Sequence, residues 1–302
     1  IVIGSLLTVL VIFLVSYVIF DSNIYDELYS KIEVTAHRGN STVTMPNTIP
    51  AFKEAIKEGA DYGELDVRQT KDNVIVVTHD ASLKEMTGQD INVRDLTYEE
   101  LQKIPCIEVN GNKCTVPKLE DVINVCKGKI KLNIEIKTGN NDSEDFVSDV
   151  VKIIENTDFV DKCVVTSLDY RALRKVKECN PKIKTGYIMA VAMGDFYDLP
   201  CVDFFRMETT FVNGRVVERA HKLNKEIHVW TVNDDDSLKK CVELEVDNII
   251  TDNVAGAKSA IATHGDDVFS IVLNQLKESD NSKENIKKTN RILEDVTGIE
   301  GA

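Results

Sequence analysis

From Val34 onward, short runs rich in β-branched and aromatic residues alternate with stretches of helical period, and this alternation is the tightest constraint on the fold. The spacing predicts strands at Val34 to His37, Gly63 to Thr70, Lys131 to Ile136, Cys163 to Thr166, Lys184 to Ile188, Val202 to Met207, Glu226 to Trp230 and Asn248 to Thr251. Helical patterns fall between them at Thr48 to Glu58, Glu144 to Asn156, Tyr170 to Cys179, Gly214 to Leu223 and Asp235 to Leu244. In the last of these, Leu238, Cys241 and Val242 stand three and four apart on one face, behind Asp234 and Asp235 where a cap is wanted. Strands joined through helices run parallel, and eight such strands predict an α/β fold, a (β/α)8 TIM barrel with its chemistry at the C-terminal strand ends. Length alone, 302 residues, would suggest two domains, but such a barrel takes up about 250 residues as one.

Two stretches break the alternation. Val74 to His79 is a second extended run joined to the preceding strand through Lys71-Asp72-Asn73, which predicts a hairpin; Asp80 to Val116 is a long polar insertion of the kind that shapes substrate access on a barrel rim. The seven cysteines are an odd number without a Cys-x-x-Cys spacing. Cys163, Cys201 and Cys241 read as small core residues, and Cys106 and Cys114, flanking the turn-like Asn110-Gly111-Asn112, allow a disulfide across a hairpin as one reading.

Ahead of the barrel, residues 1–20 carry no charge, and at 1.5 Å per residue they cover roughly 30 Å, the hydrocarbon thickness of a bilayer. They predict a transmembrane helix. A cleaved signal peptide would want a basic start, a shorter apolar core and a small-residue cleavage site. Since residue 1 is Ile rather than Met, further upstream sequence is expected. The juxtamembrane linker 21–33 holds Asp21, Asp26, Glu27 and Glu33 against Lys31, opposite to the usual cytoplasmic bias, and predicts an extracytoplasmic barrel over residues 34–264. The tail 265–302 has one amphipathic stretch, Val268 to Leu276, and otherwise reads as polar and flexible. With 36 Lys and Arg against 50 Asp and Glu, the net charge of −14 excludes a generally basic nucleic-acid binder.

Glu64 and Asp66 are two apart on one strand, so their carboxylates share a side. Inside a barrel they would repel, and a cation would relieve the conflict. Glu135 ends the third strand in Asn133-Ile134-Glu135-Ile136-Lys137 and completes an all-oxygen set suited to Ca²⁺ or Mg²⁺. The alternatives are an outward-facing charged pair or an internal salt bridge to Lys137. His37 and His79 both end extended runs, where histidine can move protons near neutral pH, and Arg38 offers a planar donor fork for phosphate oxygens. Trp230, the only tryptophan, is either core packing or an apolar wall for substrate.

These segments, in order, resemble the glycerophosphodiester phosphodiesterase family: His37-Arg38-Gly39-Asn40-Ser41, Asn47-Thr48-Ile49-Pro50-Ala51-Phe52, Gly59-Ala60-Asp61, Glu64-Leu65-Asp66-Val67, Thr70-Lys71-Asp72, His79-Asp80, Glu135-Ile136-Lys137, Val229-Trp230-Thr231-Val232-Asn233 and Val246 to Asp252. The resemblance spans Val34 to Ala262 and implies a TIM-barrel hydrolase that cleaves glycerophosphodiesters to glycerol 3-phosphate and an alcohol. It further implies Glu64, Asp66 and Glu135 as metal ligands, His37 and His79 as the acid–base pair, and Arg38 and Lys137 as phosphate contacts. The leading apolar segment is similar to a membrane-anchored bacterial branch. One departure stands out: where the family reads Pro-Glu-Asn-Thr, this chain has Met45-Pro46-Asn47-Thr48, so Pro46 replaces a glutamate near the first strand. The family's glycine and aromatic motif in the insertion is also absent, which implies altered specificity. Two other readings are a non-hydrolytic barrel that binds polyol phosphates and a phospholipase-D-like relative acting on lysophospholipids.

Overall fold

Each expected barrel strand forms within two residues of its predicted ends. In chain order they are β1 (Glu33–Ala36), β2 (Tyr62–Gln69), β3 (Ile75–Val77), β4 (Lys131–Ile136), β5 (Cys163–Ser167), β6 (Lys184–Met189), β7 (Phe204–Glu208), β8 (Glu226–Trp230) and β9 (Asn248–Thr251). All pair in parallel except β3, which runs antiparallel to β2 as the hairpin reading expects; β1 pairs with both β2 and β9 and closes the ring. The computed structural model describes residues 32–189 and 196–263, almost all in the unit Lys31–Ala260.

Among the described residues the helices include α1 (Ile49–Lys57), α2 (Lys84–Thr87), α3 (Tyr98–Leu101), α4 (Leu119–Cys126), α5 (Phe146–Asn156), α6 (Tyr170–Cys179), α7 (Gly214–Lys222) and α8 (Asp235–Glu243). Local chemistry starts several of them: Asp169, Asn213 and Asp234 accept from backbone N–H groups of the first turns of α6, α7 and α8. The longer ones bury a narrow apolar face, such as Leu238, Cys241 and Val242 of α8. Helix α4 was not among the predicted elements, although Val122, Ile123 and Cys126 form its buried face; eight residues give only two turns of period to read.

Parallel strands inside a ring of helices are buried on both faces, and their residues alternate between lumen and helix layer. Leu65 and Val67 are fully buried on one face of β2, with Glu64 and Asp66 on the other. Near the N-terminal strand ends, Tyr62, Val164 and Phe204 pack into one cluster. Gly186 makes room for this plug, since a Cβ there would lie 2.1 Å from the Phe204 ring. His228 is a buried core histidine stacked on Phe204, with centroids 4.0 Å apart.

The insertion 80–116 corrects the reading of a merely polar segment. It builds a small core from Leu83, Met86, Val93, Leu101, Cys106 and Val116, packed with Met45 and Val76. These apolar residues are too widely spaced to show a period. Cys106 N–H donates to Cys114 O at 2.9 Å, so the two residues do face each other across a hairpin, yet both thiols are free rather than bridged. Burial beside Cys114 pushes the Cys106 thiol up. Cys163 and Cys241 are buried as expected, whereas Cys201 is half-buried at a positive φ of 57° and is not a core residue. The predicted transmembrane helix 1–20, nearly all of the linker 21–33 and the tail 265–302 with Val268 to Leu276 lie outside the described residues. Among the described residues no helix is long and apolar enough to cross a membrane.

Candidate active site

Neighbouring strands β2 and β4 set Asp66 opposite Glu135 and Glu64 opposite Asn133. The three carboxylates are buried and each offers an oxygen within 4.8 Å of the others. They face the lumen. Arg206, on β7 across the barrel from β2, reaches Glu64 Oε1 at 2.9 Å and Glu135 Oε2 at 2.8 Å with Nη1. That geometry removes the outward-facing alternative, while the predicted salt bridge to Lys137 is real and coexists with the cluster. Lys137 Nζ lies 3.2 Å from Asp66 Oδ1 and closer still to Glu135 Oε1. Lys137 is thus committed to carboxylates in this structure rather than open toward a phosphate.

Burial alone would push the Asp66 carboxyl up, but the Lys137 ammonium, His79, the Asn47 amide and Arg38 hold it below the usual carboxylate range. Glu135 goes the other way: burial raises it, Arg206 opposes the rise and Asp66 reinforces it. Three clustered carboxylates, two on β2 and one on β4, form a hard oxygen set that fits Ca²⁺ or Mg²⁺ with waters or substrate completing the shell.

At the end of β1 the backbone turns sharply. Arg38 and Gly39 take positive φ values of 54° and 77°, and a Cβ on Gly39 would lie 2.7 Å from that of Ala51, so only glycine fits against α1. The turn aims Arg38 N–H at Glu64 Oε2, 2.9 Å away, and leaves the buried Arg38 Nε without a hydrogen bond. His37 Nδ1 is 2.9 Å from Asp252 Oδ1, and Asp252 also accepts from Ser41 and Asn233. The His37 bond leads these contacts in holding the Asp252 carboxyl down at about 2. His79 Nδ1 is likewise 2.9 Å from Asp80 Oδ1, and Arg68 Nε ties down the His79 carbonyl at 2.8 Å. Arg38, Pro46, Asn47, His79, Glu85 and Met86 line one cleft, so the insertion does form part of its wall. Trp230 is half-buried, with the Arg206 guanidinium 5.3 Å from its ring centroid.

Three residues of this arrangement escaped the sequence reading as site residues. Asn47, at φ 60°, donates to Asp66 Oδ2 at 2.8 Å and accepts from Asp66 N–H at 3.3 Å. It bonds Asp66 from the position next to Pro46. Asp252 follows a predicted strand and was legible only as part of a motif. Arg206 had one local signal, a lone charge within Phe204-Phe205-Arg206-Met207, a run otherwise suited to burial on both faces.

The chain matches the glycerophosphoryl diester phosphodiesterase family over residues 37–255. It is 31% identical over 230 residues to a glycerophosphodiester phosphodiesterase of Caldanaerobacter subterraneus, covering 74% of this chain and 95% of that protein. A lysophospholipase D of Mus musculus is 26% identical, with 72% of this chain and 82% of the relative covered. Among solved structures, an Oleispira antarctica phosphodiesterase in complex with the product sn-glycerol-3-phosphate superposes with a TM-score of 0.72 at 23% identity, covering 78% of this chain and 99% of that one. The matched span runs from His37 to just beyond Asp252, so it takes in the whole cluster at the barrel mouth, and the chain belongs to the glycerophosphoryl diester phosphodiesterase family.

Proposed function

We propose that this barrel hydrolyses glycerophosphodiesters to glycerol 3-phosphate and an alcohol, with His37 and His79 dividing the proton transfers beside a divalent ion held by Glu64, Asp66 and Glu135. The observation that carries the reading is the pair of histidines, each anchored through Nδ1 to an aspartate, at the mouth above three buried carboxylates. A carboxylate only accepts, so Asp252 and Asp80 favour the proton on Nδ1 and leave each Nε2 as the atom that takes or gives a proton. One ring can accept the proton of the attacking water, or of a glycerol hydroxyl whose cyclic product water then opens, while the other protonates the leaving oxygen. Arg38, whose Nε makes no hydrogen bond and lies 3.7 Å from Asp66 Oδ2, is the guanidinium that would donate to phosphoryl oxygens beside the cluster. The ion, when bound, offsets charge on those oxygens. Trp230 supplies an apolar flank for the substrate.

The test is product release from a panel of soluble glycerophosphodiesters and lysophospholipids, with Ca²⁺, Mg²⁺ or chelator. Activity lost in chelator and restored by one ion is expected. The lysophospholipase D named among the relatives keeps lysophospholipids as a second substrate class, and turnover confined to them would favour that reading. Metal binding without product from any diester would leave a polyol-phosphate-binding barrel.

Residues 1–20 anchor the barrel to a membrane in this proposal, with residues 34–264 on the outer side, supported by the uncharged length of the segment and the acidic flank behind it. The full chain should fractionate with membranes, and protease added to intact cells should cut the barrel. Recovery in the soluble fraction without detergent would overturn the anchor; complete protection that is lost on permeabilisation would reverse the orientation.

A further inference from the structure

We infer that Arg206 is a built-in counter-cation that occupies Glu64 and Glu135 in the metal-free protein and is displaced from them when a divalent ion enters. The inference rests on the proposed metal site and concerns how that site is loaded. A single nitrogen, Arg206 Nη1, bridges the two carboxylates at 2.9 and 2.8 Å, so a fixed positive charge already takes one oxygen from each of two candidate ligands. The other oxygens of the cluster are engaged as well: Arg38 N–H holds Glu64 Oε2 at 2.9 Å, Asn47 holds Asp66 Oδ2 at 2.8 Å, and Lys137 faces Asp66 Oδ1 and Glu135 Oε1. Counted by charge, Arg38, Lys137 and Arg206 balance Glu64, Asp66 and Glu135, so the cluster is neutral without any metal.

An incoming divalent ion therefore meets competition from a guanidinium that cannot deprotonate. Arg38 N–H and Asn47 are neutral donors and can stay on oxygens that also bind an ion. Lys137 grips the two carboxylates from the strand end. Arg206 alone puts a positive charge between Glu64 and Glu135. While it holds both carboxylates its guanidinium also lies 5.3 Å from the Trp230 ring centroid, so any move away from them changes its position over the indole. The consequence is a site that stays neutral and folded when empty and binds its ion more weakly than three bare carboxylates would.

Two measurements on the full chain test this. Calorimetric titration with Ca²⁺ and Mg²⁺ should show Arg206→Gln binding about tenfold or more tightly than wild type, the scale of coupling between two ligands that exclude each other. In wild type, the same titration should change the fluorescence of Trp230, the only tryptophan of the chain, as the guanidinium shifts against its ring; that change should be absent in Arg206→Gln. Equal or weaker metal affinity in Arg206→Gln would overturn the inference and make Arg206 a residue that positions the carboxylates. An unchanged Trp230 signal at saturating metal would overturn displacement in wild type alone, even if the variant failed to fold. A wild type that binds ion and shifts its fluorescence but releases no product would sink the enzymatic reading while leaving this one intact; one that binds no divalent ion would sink both.

Discussion

Replacing His79 by alanine should lower turnover of a glycerophosphodiester by about 10² or more, the usual scale for losing a general acid or base, with thermal unfolding and divalent-metal affinity nearly unchanged. The expectation follows from how little of the fold the ring supports. Its side chain is about one-third exposed and its hydrogen bond goes to the adjacent Asp80, while the loop itself is held by Arg68 through the His79 backbone carbonyl, which alanine keeps. The ring hydrogen-bonds none of the three clustered carboxylates and reaches Asp66 only through its charge. A glycerol 3-phosphate release assay beside a calorimetric metal titration decides the matter. Metal affinity falling in step with turnover would make His79 a ligand rather than a proton carrier.

Glu64→Gln should behave in the opposite way, with metal affinity and turnover falling together and the protein itself losing stability. The substitution keeps the shape but removes one of three negative charges available to a divalent ion. It also disturbs two donors at once: Arg206 Nη1 loses a charged acceptor, and either it or Arg38 N–H comes to face an amide NH₂. Breaking one side of a buried ion pair costs about 3 kcal/mol. For a barrel of this size that corresponds to a fall in Tm of roughly 6–12 °C. Scanning calorimetry without metal, followed by titration, reads both effects. A variant with wild-type metal affinity and wild-type turnover would remove Glu64 from the site.

Much of the architecture was legible along the chain because burial inside a ring of helices imposes a pattern that local spacing records. Strands such as Lys131–Ile136 and Glu226–Trp230 had to be short, with one wholly apolar face, and helices such as Tyr170–Cys179 had to present one apolar stripe behind a capping aspartate. The same spacing put Glu64 and Asp66 on one side of a strand. The insertion core and α4 were not legible, since two turns or scattered apolar residues leave no period to count.

What the sequence by itself determined is therefore the set of strands, that Glu64 and Asp66 share one side of theirs, and the motifs that place the chain in its family. Only the tertiary structure decided the partners. Arg206 meets Glu64 across 142 residues of chain and His37 meets Asp252 across 215, because closing the ring brings β7 opposite β2 and β9 beside β1. Periodicity reports which face a residue occupies on its own element, but an ion pair across a lumen depends on the order in which eight strands close. No local spacing carries that order, so the cation lodged between two of the candidate metal ligands became visible only in the folded barrel.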